Sequence, residues 1–477
     1  MSTIDSPLAA GRHDLPAHGT GWVDDVLLAG PGSETCLVLG APITRAQLRA
    51  EVTSRQARLT DAGLRPGGAI ALRLPSSLAY VANLLAAWRI GAQVTLLDHR
   101  LSRGEVERAL ERVGAQFLVQ PAAAVVAPLR GFVTVDETVV ALPAGRPAPT
   151  SHALIQLSSG STGPSKVIGR TVDDLVAEIE RYTRIDGVPR PGERLVLLAS
   201  MAHVLGLVGG LLYALHAHVR LTLPERMTVG GVLGAITAES TPTTVIGVPV
   251  HLEMLMAGRP DGPLSQFVRM TTAGELVRPG VRERFATCYD TVLANMYGMT
   301  EVGVIATDLF GAHRPGVRPA PGIDVRVVDG ELQVRRPVTP YVGLVDESRW
   351  SDGWLRTRDA ASLDPVTGLV TIRGRLDSQV SIGGLKVDLT EVEQAILDLP
   401  GVTEVVVTFD GGAIEAYTAV EKPWTGPELD AALEDVLAPY KRPLRWQLLE
   451  RLPRTSSGKV VRDVAVLRRA SAGPTPS

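Results

Sequence analysis

A short loop in the first half of the chain gathers the residue types that hold a polyphosphate. Residues 157–168 read LSSGSTGPSKVI, directly after an apolar segment that predicts a strand. Glycine lets the backbone approach a charged ligand, and hydroxyl groups, backbone N–H groups and a lysine suit phosphate oxygens. The residues predicted to contact phosphate are Ser158, Ser159, Gly160, Ser161, Thr162, Gly163 and Lys166. A flexible surface loop would have the same composition, and the order does not match the GxxxxGK[ST] pattern of P-loop enzymes.

The segments around this loop predict a large layered α/β region. Residues 69–74 read as a strand, 77–90 as a helix with an apolar face and 93–97 as a second strand. Such a βαβ unit implies a parallel sheet. Further strands, separated by helical stretches, are predicted at 115–119, 194–199, 219–223 and 244–248.

The last third of the chain changes its pattern twice. Short strands separated by turn residues predict a small β-rich subdomain at 325–328, 331–334 and 369–372. Beyond Arg375 the pattern predicts helices at 390–399 and 429–437 and a hairpin formed by 404–409 and 413–420. We therefore predict a large N-terminal α/β domain, residues 1–376, and a small α+β C-terminal domain, residues 377–477.

Composition argues against several classes of function. The 477 residues carry a formal net charge of -3, so a basic surface for nucleic acid is not expected. Only Cys36 and Cys288 occur, which gives neither a disulfide framework nor a CxxC metal site. The first residues lack the pattern of a secretory signal, and the most apolar stretch, 204–215, is too short to span a bilayer. We expect a cytoplasmic enzyme without a membrane partner.

Five segments, in order along the chain, resemble the motifs of the acyl-adenylate-forming superfamily. This group includes acyl-CoA synthetases, adenylation domains of peptide synthetases and luciferase-like enzymes. The loop at 157–168 resembles its phosphate loop. The other segments are YGMTE at 297–301, GWLRTRD at 353–359, GRLD at 374–377 with GGLKV at 383–387, and PRTSSGK at 453–459. The resemblance covers nearly the whole chain, and the phosphate loop and residues 201–203 are most similar to the aryl-acid-activating branch.

The resemblance implies a reaction in two steps, with ATP, Mg²⁺ and coenzyme A as cofactors. The carboxylate of a small-molecule acid attacks the α-phosphorus of ATP and expels pyrophosphate, and the acyl group of the acyl-AMP then passes to a thiol. Because two anions must meet, the site has to supply positive charge and orientation. Lys459 is implied to bridge the carboxylate and the α-phosphate, Thr300 to contact the α-phosphate, and Glu301 to bind magnesium as a hard oxygen ligand.

The same resemblance assigns residues to the base and the ribose. Tyr297 is implied to pack against the adenine, while Gly274 and Glu275 flank the adenine and the acid. Asp359 has lone pairs for both ribose hydroxyls, and Arg375 is implied to assist it. The structural alternatives are a core tyrosine and surface ion pairs, and for Lys459 a solvated side chain in a Ser/Gly loop.

A mobile C-terminal domain is also implied. In one conformation Lys459 enters the site for adenylation. In the other, the domain rotates about Asp377 and presents Gly383, Gly384 and Lys386 to the thiol channel. The thiol belongs to coenzyme A or, alternatively, to the phosphopantetheine arm of an acyl carrier protein. A catalytically silent scaffold is the remaining alternative.

The implied acyl pocket contains His203, Val204 and Gly298, although a lone histidine in such a setting is usually structural. Relatives that activate amino acids carry Asp at the position of Val204, where it pairs with the substrate ammonium. A buried ammonium without a partner is costly, so Val204 predicts an acid without an α-amino group. Dihydroxybenzoate enzymes have Asn there, so an ortho hydroxyl should gain nothing. Gly209 and Gly210 remove side-chain volume and predict room for a bulky aromatic or alicyclic ring.

Arg358 departs from the family pattern. It replaces the usual glycine before the ribose aspartate. A bulky cation at this position either strains the turn or contacts a phosphate, and the sequence leaves both interpretations open.

Overall fold

The computed structural model describes residues 19–471 with short gaps. The gaps are residues 102, 124, 126–128, 158–165, 261, 275–276, 278, 344–345, 377–378, 383–384, 411, 435, 438 and 456–457. Within the described part of the chain, no helix is both long and apolar enough to cross a bilayer.

The first half of the chain alternates strands with helices. Up to residue 141 it forms a π-helix (Val23–Leu27), β1 (Thr35–Leu39), β2 (Ala41–Thr44), α1 (Arg45–Asp61), β3 (Ala69–Leu72), α2 (Leu78–Ile90), β4 (Gln93–Leu96), α3 (Arg103–Val113), β5 (Phe117–Pro121) and β6 (Glu137–Ala141). The next segment forms β7 (Leu154–Leu157), β8 (Val167–Arg170), α4 (Val172–Thr183), β9 (Arg194–Leu197), a second π-helix (Leu205–Leu212), α5 (Tyr213–His216), β10 (Arg220–Thr222), α6 (Val229–Thr237), β11 (Thr243–Gly247) and α7 (Pro249–Met256).

The second half contains more strand than helix. To residue 375 it forms β12 (Phe267–Ala273), α8 (Pro279–Tyr289), β13 (Val292–Met299), β14 (Gly303–Asp308), β15 (Arg318–Pro319), β16 (Val325–Val328), β17 (Glu331–Arg335), β18 (Trp350–Ser351), β19 (Trp354–Leu363) and β20 (Val370–Arg375). The C-terminal part forms β21 (Gln379–Ile382), β22 (Leu385–Asp388), α9 (Leu389–Leu397), β23 (Val402–Asp410), β24 (Ala413–Val420), α10 (Gly426–Ala432), a 3₁₀ turn (Pro439–Lys441), β25 (Arg445–Leu449) and α11 (Val464–Ser471).

Side-chain caps fix where several helices begin. Thr44 forms a reciprocal capping box with Gln47 at α1, and Thr171 does so with Asp174 at α4. Such pairs satisfy backbone N–H groups that have no partner in the first turn. The start of α4 therefore follows β8 directly, close to the predicted phosphate loop.

Two large sheets form the body of the molecule. One has the order β6-β5-β3-β4-β7-β8, with β6 and β8 antiparallel at its edges. The other has the order β15-β14-β13-β12-β11-β9-β10-β1-β2 and is parallel from β13 to β1. Sheets with buried parallel strands and helical crossovers are the layered α/β architecture that the sequence predicts, and this prediction is confirmed.

Two smaller units follow the large sheets. An antiparallel sheet of β16–β20 is the predicted β-rich subdomain. In the C-terminal part, β23, β24 and β25 form a sheet whose apolar face packs against α9 and α10 through Val392, Ile396 and Leu429. Residues 377–378 fall in a gap between these units, so the domain boundary at 376 stays a prediction.

Some element boundaries differ from the predictions. The helix predicted at 429–437 spans Gly426–Ala432, because Thr425 and Glu428 form a capping box that starts it earlier. Strands β1 and β2 are not among the predicted strands. Both are short, and β2 is an edge strand with no buried residue, so its sequence carries little apolar pattern.

Candidate active site

A cavity of about 1500 Å³ lies between the two large sheets and the C-terminal part of the chain. Strand ends of both sheets contribute lining residues, including Leu96 of β4, Gln156 of β7 and Ala273 of β12. The C-terminal part contributes Arg454 and Lys459. Clefts at the carboxyl ends of parallel strands are the usual ligand sites of such sheets.

Lys459 reaches this cavity from a tightly bonded turn. The N–H of Thr455 donates to the Lys459 carbonyl at 2.7 Å, and the N–H of Lys459 donates to Thr455 Oγ1 at 3.2 Å. The Arg454 guanidinium pairs with Glu404 and donates to the Gly458 carbonyl at 2.8 Å. The Lys459 Cε atom lies 3.9 Å from the position that a Cβ of Gly274 would take. Gly274 and Lys459, which are far apart in sequence, therefore meet at the cavity.

Tyr297 and Asp359 meet by a direct hydrogen bond. The Tyr297 hydroxyl donates to the buried Asp359 carboxylate, and Thr357 Oγ1 accepts from the Asp359 N–H at 3.1 Å. In the backbone pairing of β19 with β20, Asp359 lies opposite Arg375. The predicted adenine and ribose residues therefore lie together, although the Arg375 side chain is outside the described part.

Glu301 is nearly buried, with 8% of its surface exposed. The Tyr341 hydroxyl donates to Glu301 Oε1 at 3.1 Å, and burial together with the Glu301 carboxylate raises the pKa of Tyr341. The Lys166 ammonium lies 5.8 Å from the centre of the Tyr341 ring. Thr300, next to Glu301, lines the cavity. Tyr341 lies in none of the five motifs, so sequence reasoning missed this residue between Lys166 and Glu301.

The carboxylate of Glu301 fits a magnesium ion that is bound together with a nucleotide. Among the described residues, no three His, Cys, Asp or Glu side chains form a metal-binding group. Magnesium in phosphate-transfer sites is commonly held by one or two carboxylates and the substrate phosphates. A single buried carboxylate at Glu301 suffices for that arrangement.

His203 faces the cavity, and half of its side chain is exposed. Its Nε2 atom lies 3.9 Å from Asp98 Oδ2. The position of His203 inside the cavity removes part of its hydration and so lowers its pKa, against the attraction of Asp98, and the charge of Lys459 lowers the pKa further. The preceding turn is held by Gln156 Nε2, which donates to the Ala202 carbonyl at 2.9 Å. His203 is therefore not packed in the core, which argues against a purely structural role for this histidine.

The expectation that Gly209 and Gly210 widen the pocket is wrong. A Cβ at Gly209 would lie 2.5 Å from the Tyr182 hydroxyl oxygen, and a Cβ at Gly210 would lie 2.9 Å from Leu197 methyl groups. Tyr182 and Leu197 line the cavity and occupy the volume that the glycines leave. The glycines therefore admit larger side chains to the wall instead of enlarging the pocket.

Val204 and Gly298 both line the cavity, and their place in an acyl pocket stays a prediction. Gly298 packs so closely that a Cβ there would overlap the Gly303 carbonyl. Val204 precedes the second π-helix and places an apolar side chain beside His203. No charged group from this position is available for an ammonium.

Arg358 has the left-handed backbone conformation that glycine usually adopts, with φ of 62°. Its N–H donates to Glu331 Oε1 at 3.0 Å, and its Nη2 donates to the Ser348 carbonyl and hydroxyl at 3.1 and 3.0 Å. A non-glycine residue in this region costs about 1–2 kcal/mol. Arg358 therefore strains β19 where its pairing with β17 shifts register, and its guanidinium is bonded to Ser348.

Several predicted residues lie outside the described part of the chain. They are Ser158, Ser159, Gly160, Ser161, Thr162, Gly163, Glu275, Asp377, Gly383 and Gly384. The Lys386 side chain is also not described, while its backbone pairs with Ser381 in the β21–β22 hairpin. Their roles stay predictions.

Comparison with known proteins finds similar sequences and similar folds. The chain is 27% identical to a benzoate–CoA ligase of Thauera aromatica, over 91% of this chain and 93% of the relative. It is 27% identical to a fatty acid–[acyl-carrier-protein] ligase of Streptomyces coeruleorubidus, over 91% and 92%. Its fold matches an O-succinylbenzoate coenzyme A synthetase from Bacillus subtilis in complex with AMP, with a TM-score of 0.77, 22% identity and coverage of 93% and 97%.

Family models match most of the chain. The model of the AMP-binding enzyme matches residues 28–340, and the model of its C-terminal domain matches residues 391–459. The two matches include both sides of the cavity, from Gln156 to Lys459. The chain belongs to the AMP-binding enzyme family.

Proposed function

We propose that this enzyme activates an apolar aromatic or alicyclic carboxylic acid to its acyl-AMP with ATP, and then transfers the acyl group to coenzyme A. The observation that carries the proposal is the meeting of Lys459 with Gly274 in the cavity that His203 and Thr300 also line. A cation at this point faces the place where a carboxylate and a phosphate would have to meet.

The charge requirement explains why a lysine serves this step. Two unit charges 4 Å apart interact by about 4 kcal/mol at the effective dielectric constant of a protein surface. A single ammonium between two anions offsets much of their repulsion, and its three N–H groups can donate to both. The bonds of Thr455 and Arg454 hold the turn that carries Lys459, so little ordering is left for the reaction step.

The nucleotide is oriented by the other groups. The Asp359 carboxylate accepts the ribose hydroxyls, while Tyr297 holds that carboxylate and presents its ring to the base. Mg²⁺, when bound at Glu301, would neutralise phosphate charge and leave pyrophosphate a better leaving group. Lys166 adds a further cation on the phosphate side of Tyr341.

The second step requires a different arrangement. Lys459 lies in the cavity in the present arrangement, which suits the first step. For the second step we propose that the C-terminal domain turns about Asp377 and brings the segment 383–387 to the thiol channel. The carrier-protein alternative is supported by the similarity to an acyl-carrier-protein ligase, so the acceptor needs its own test.

The experiment is pyrophosphate–ATP exchange with a panel of acids. Benzoates, bulky alicyclic acids, medium-chain fatty acids and amino acids are compared at equal concentration. We expect exchange with ring acids and none above background with amino acids, since Val204 offers no partner to an ammonium. Exchange that is strongest with an amino acid would overturn the substrate assignment. Comparison of coenzyme A with a phosphopantetheinylated carrier protein then identifies the acceptor.

A further inference from the structure

One wall of the cavity carries two buried polar side chains that the sequence motifs do not include. Glu178 and Tyr182 lie four residues apart on α4, so they share one face of the helix. Both line the cavity, with exposures of 1% and 2%. Met296, directly before the predicted adenine motif, lies beside them in the same lining.

The Glu178 carboxylate is built into this wall. Its Oε1 accepts the N–H of Val304 at 3.0 Å, and its Oε2 lies 2.5 Å from Nη1 of the buried Arg170. Val304 lies next to a bulge in the β13–β14 pairing. A Cβ at Gly303 would overlap the carboxyl group, so the carboxylate fits only beside glycine.

The Tyr182 hydroxyl is poorly satisfied. Among the described residues, its one hydrogen-bond partner is the Met296 sulfur, at 3.2 Å. A thioether is a weak acceptor, and buried hydroxyls normally find an oxygen or nitrogen partner. Burial and the nearby Glu178 carboxylate raise the pKa of Tyr182, so the hydroxyl remains a donor at neutral pH.

We propose that Tyr182 and Glu178 form a hydrogen-bonding end wall of the acyl pocket, and that the acid carries a neutral hydroxyl or arylamine away from its carboxylate. This inference rests on the proposed function and changes its substrate class from a wholly apolar acid to one whose ring carries a single polar substituent. A neutral donor is favoured over an ammonium, because Arg170 and Arg181 surround Glu178 and already supply positive charge.

The test uses pairs of acids that differ in one group. The pairs are 4-hydroxybenzoate with 4-methylbenzoate, 3-hydroxybenzoate with 3-methylbenzoate, and 4-aminobenzoate with 4-methylbenzoate. In pyrophosphate exchange we expect kcat/KM to favour the hydroxy or amino acid at least about tenfold in one pair, the size of one hydrogen bond. Tyr182→Phe should reduce that preference to about threefold or less. A preference for the methyl acid throughout, or one that Tyr182→Phe leaves intact, would overturn the inference.

Tyr213→Phe is the matched control. The Tyr213 ring lies 5.4 Å from the Tyr182 ring, and its buried hydroxyl donates to the Pro189 carbonyl at 2.7 Å, but Tyr213 is not among the cavity-lining residues. This variant also loses a buried hydroxyl, and we expect it to keep the wild-type preference. A loss of preference in both variants would assign the effect to helix packing and contradict the end wall.

A binding measurement separates this inference from the proposed function. The ligands are the sulfamoyl-adenosine analogues of the acyl-adenylates of the same three pairs of acids, measured by calorimetry. Tighter binding of the hydroxy or amino analogue in one pair, lost in Tyr182→Phe, supports the end wall even if no acid supports exchange. Equal Kd values within all three pairs in the wild type would refute the end wall whether or not exchange occurs.

Discussion

Replacing Gly303 by alanine tests the packing that builds the end wall. Gly303 has φ of +88°, and a Cβ there would overlap the Glu178 carboxyl group. The backbone cost is about 1–2 kcal/mol for a residue in this region. Displacing Glu178 moves its carboxylate away from the buried Arg170, and breaking such a buried ion pair costs about 3–5 kcal/mol more. We expect the free energy of unfolding to fall by about 4–7 kcal/mol as the sum of these two effects.

Gly330→Ala is the control for the backbone cost alone. Gly330 has φ of +79°, and no atom lies within 4 Å of a Cβ at that position. Its substitution should cost only about 1–2 kcal/mol. The assay is urea unfolding followed by tryptophan fluorescence, with thermal unfolding as a second measure.

A double-mutant cycle with Glu178→Ala measures whether positions 178 and 303 interact. Once Glu178 is truncated, the alanine at 303 no longer displaces a carboxylate, so the second substitution should add about 1–2 kcal/mol. Additive costs would show that the two positions do not interact. A Gly303→Ala variant no less stable than Gly330→Ala would refute the packing argument directly.

Three further substitutions test separate features. Asp377→Pro should leave adenylation nearly intact and suppress thioester formation, because proline fixes φ at the predicted hinge, and single-turnover measurement of each half-reaction decides this. Asp359→Ala should raise the KM for ATP at least about tenfold, since one good hydrogen bond to a charged group is worth 1.5–3 kcal/mol, while the KM for the acid should change less. Burial lowers the pKa of His251 from 6.5 to about 4. Between these two pH values the unfolded state therefore binds a proton that the folded state does not bind. The free energy of unfolding should decrease by about 1.4 kcal/mol for each pH unit as the pH is lowered through this window. His251→Asn should remove this dependence in unfolding titrations.

The grouping of several candidate residues was predictable from sequence because each of them lies in a short motif. Tyr297, Asp359 and Lys459 each occur with glycine and hydroxyl residues whose order is recognisable, and the structure brings Tyr297 to Asp359 and Lys459 to Gly274. The alternating pattern of strands and helices predicted the parallel sheets for a similar reason, since periodicity reports which faces are buried.

The wall of the proposed acyl pocket was not predictable in this way. Glu178 and Tyr182 read as ordinary positions of an amphipathic helix, and their place at the cavity depends on contacts with Gly303 and Gly209. These contacts join segments that are distant in sequence. The expectation that Gly209 widens the pocket was wrong, because the Tyr182 hydroxyl takes the volume that the missing side chain leaves.

The most direct test of the account measures both half-reactions in Lys459→Ala, with Lys422→Ala as the control. Lys422 is an exposed lysine of the same C-terminal part and does not line the cavity. We predict that Lys459→Ala lowers acyl-AMP formation by about 10²–10³ or more, the effect of removing one preorganised charge-stabilising group. Thioester formation from a supplied acyl-adenylate should stay within a few-fold of the wild type, and Lys422→Ala should change neither step. Equal loss of both half-reactions in Lys459→Ala, or undiminished adenylation, would contradict the assignment of Lys459 to the adenylation step.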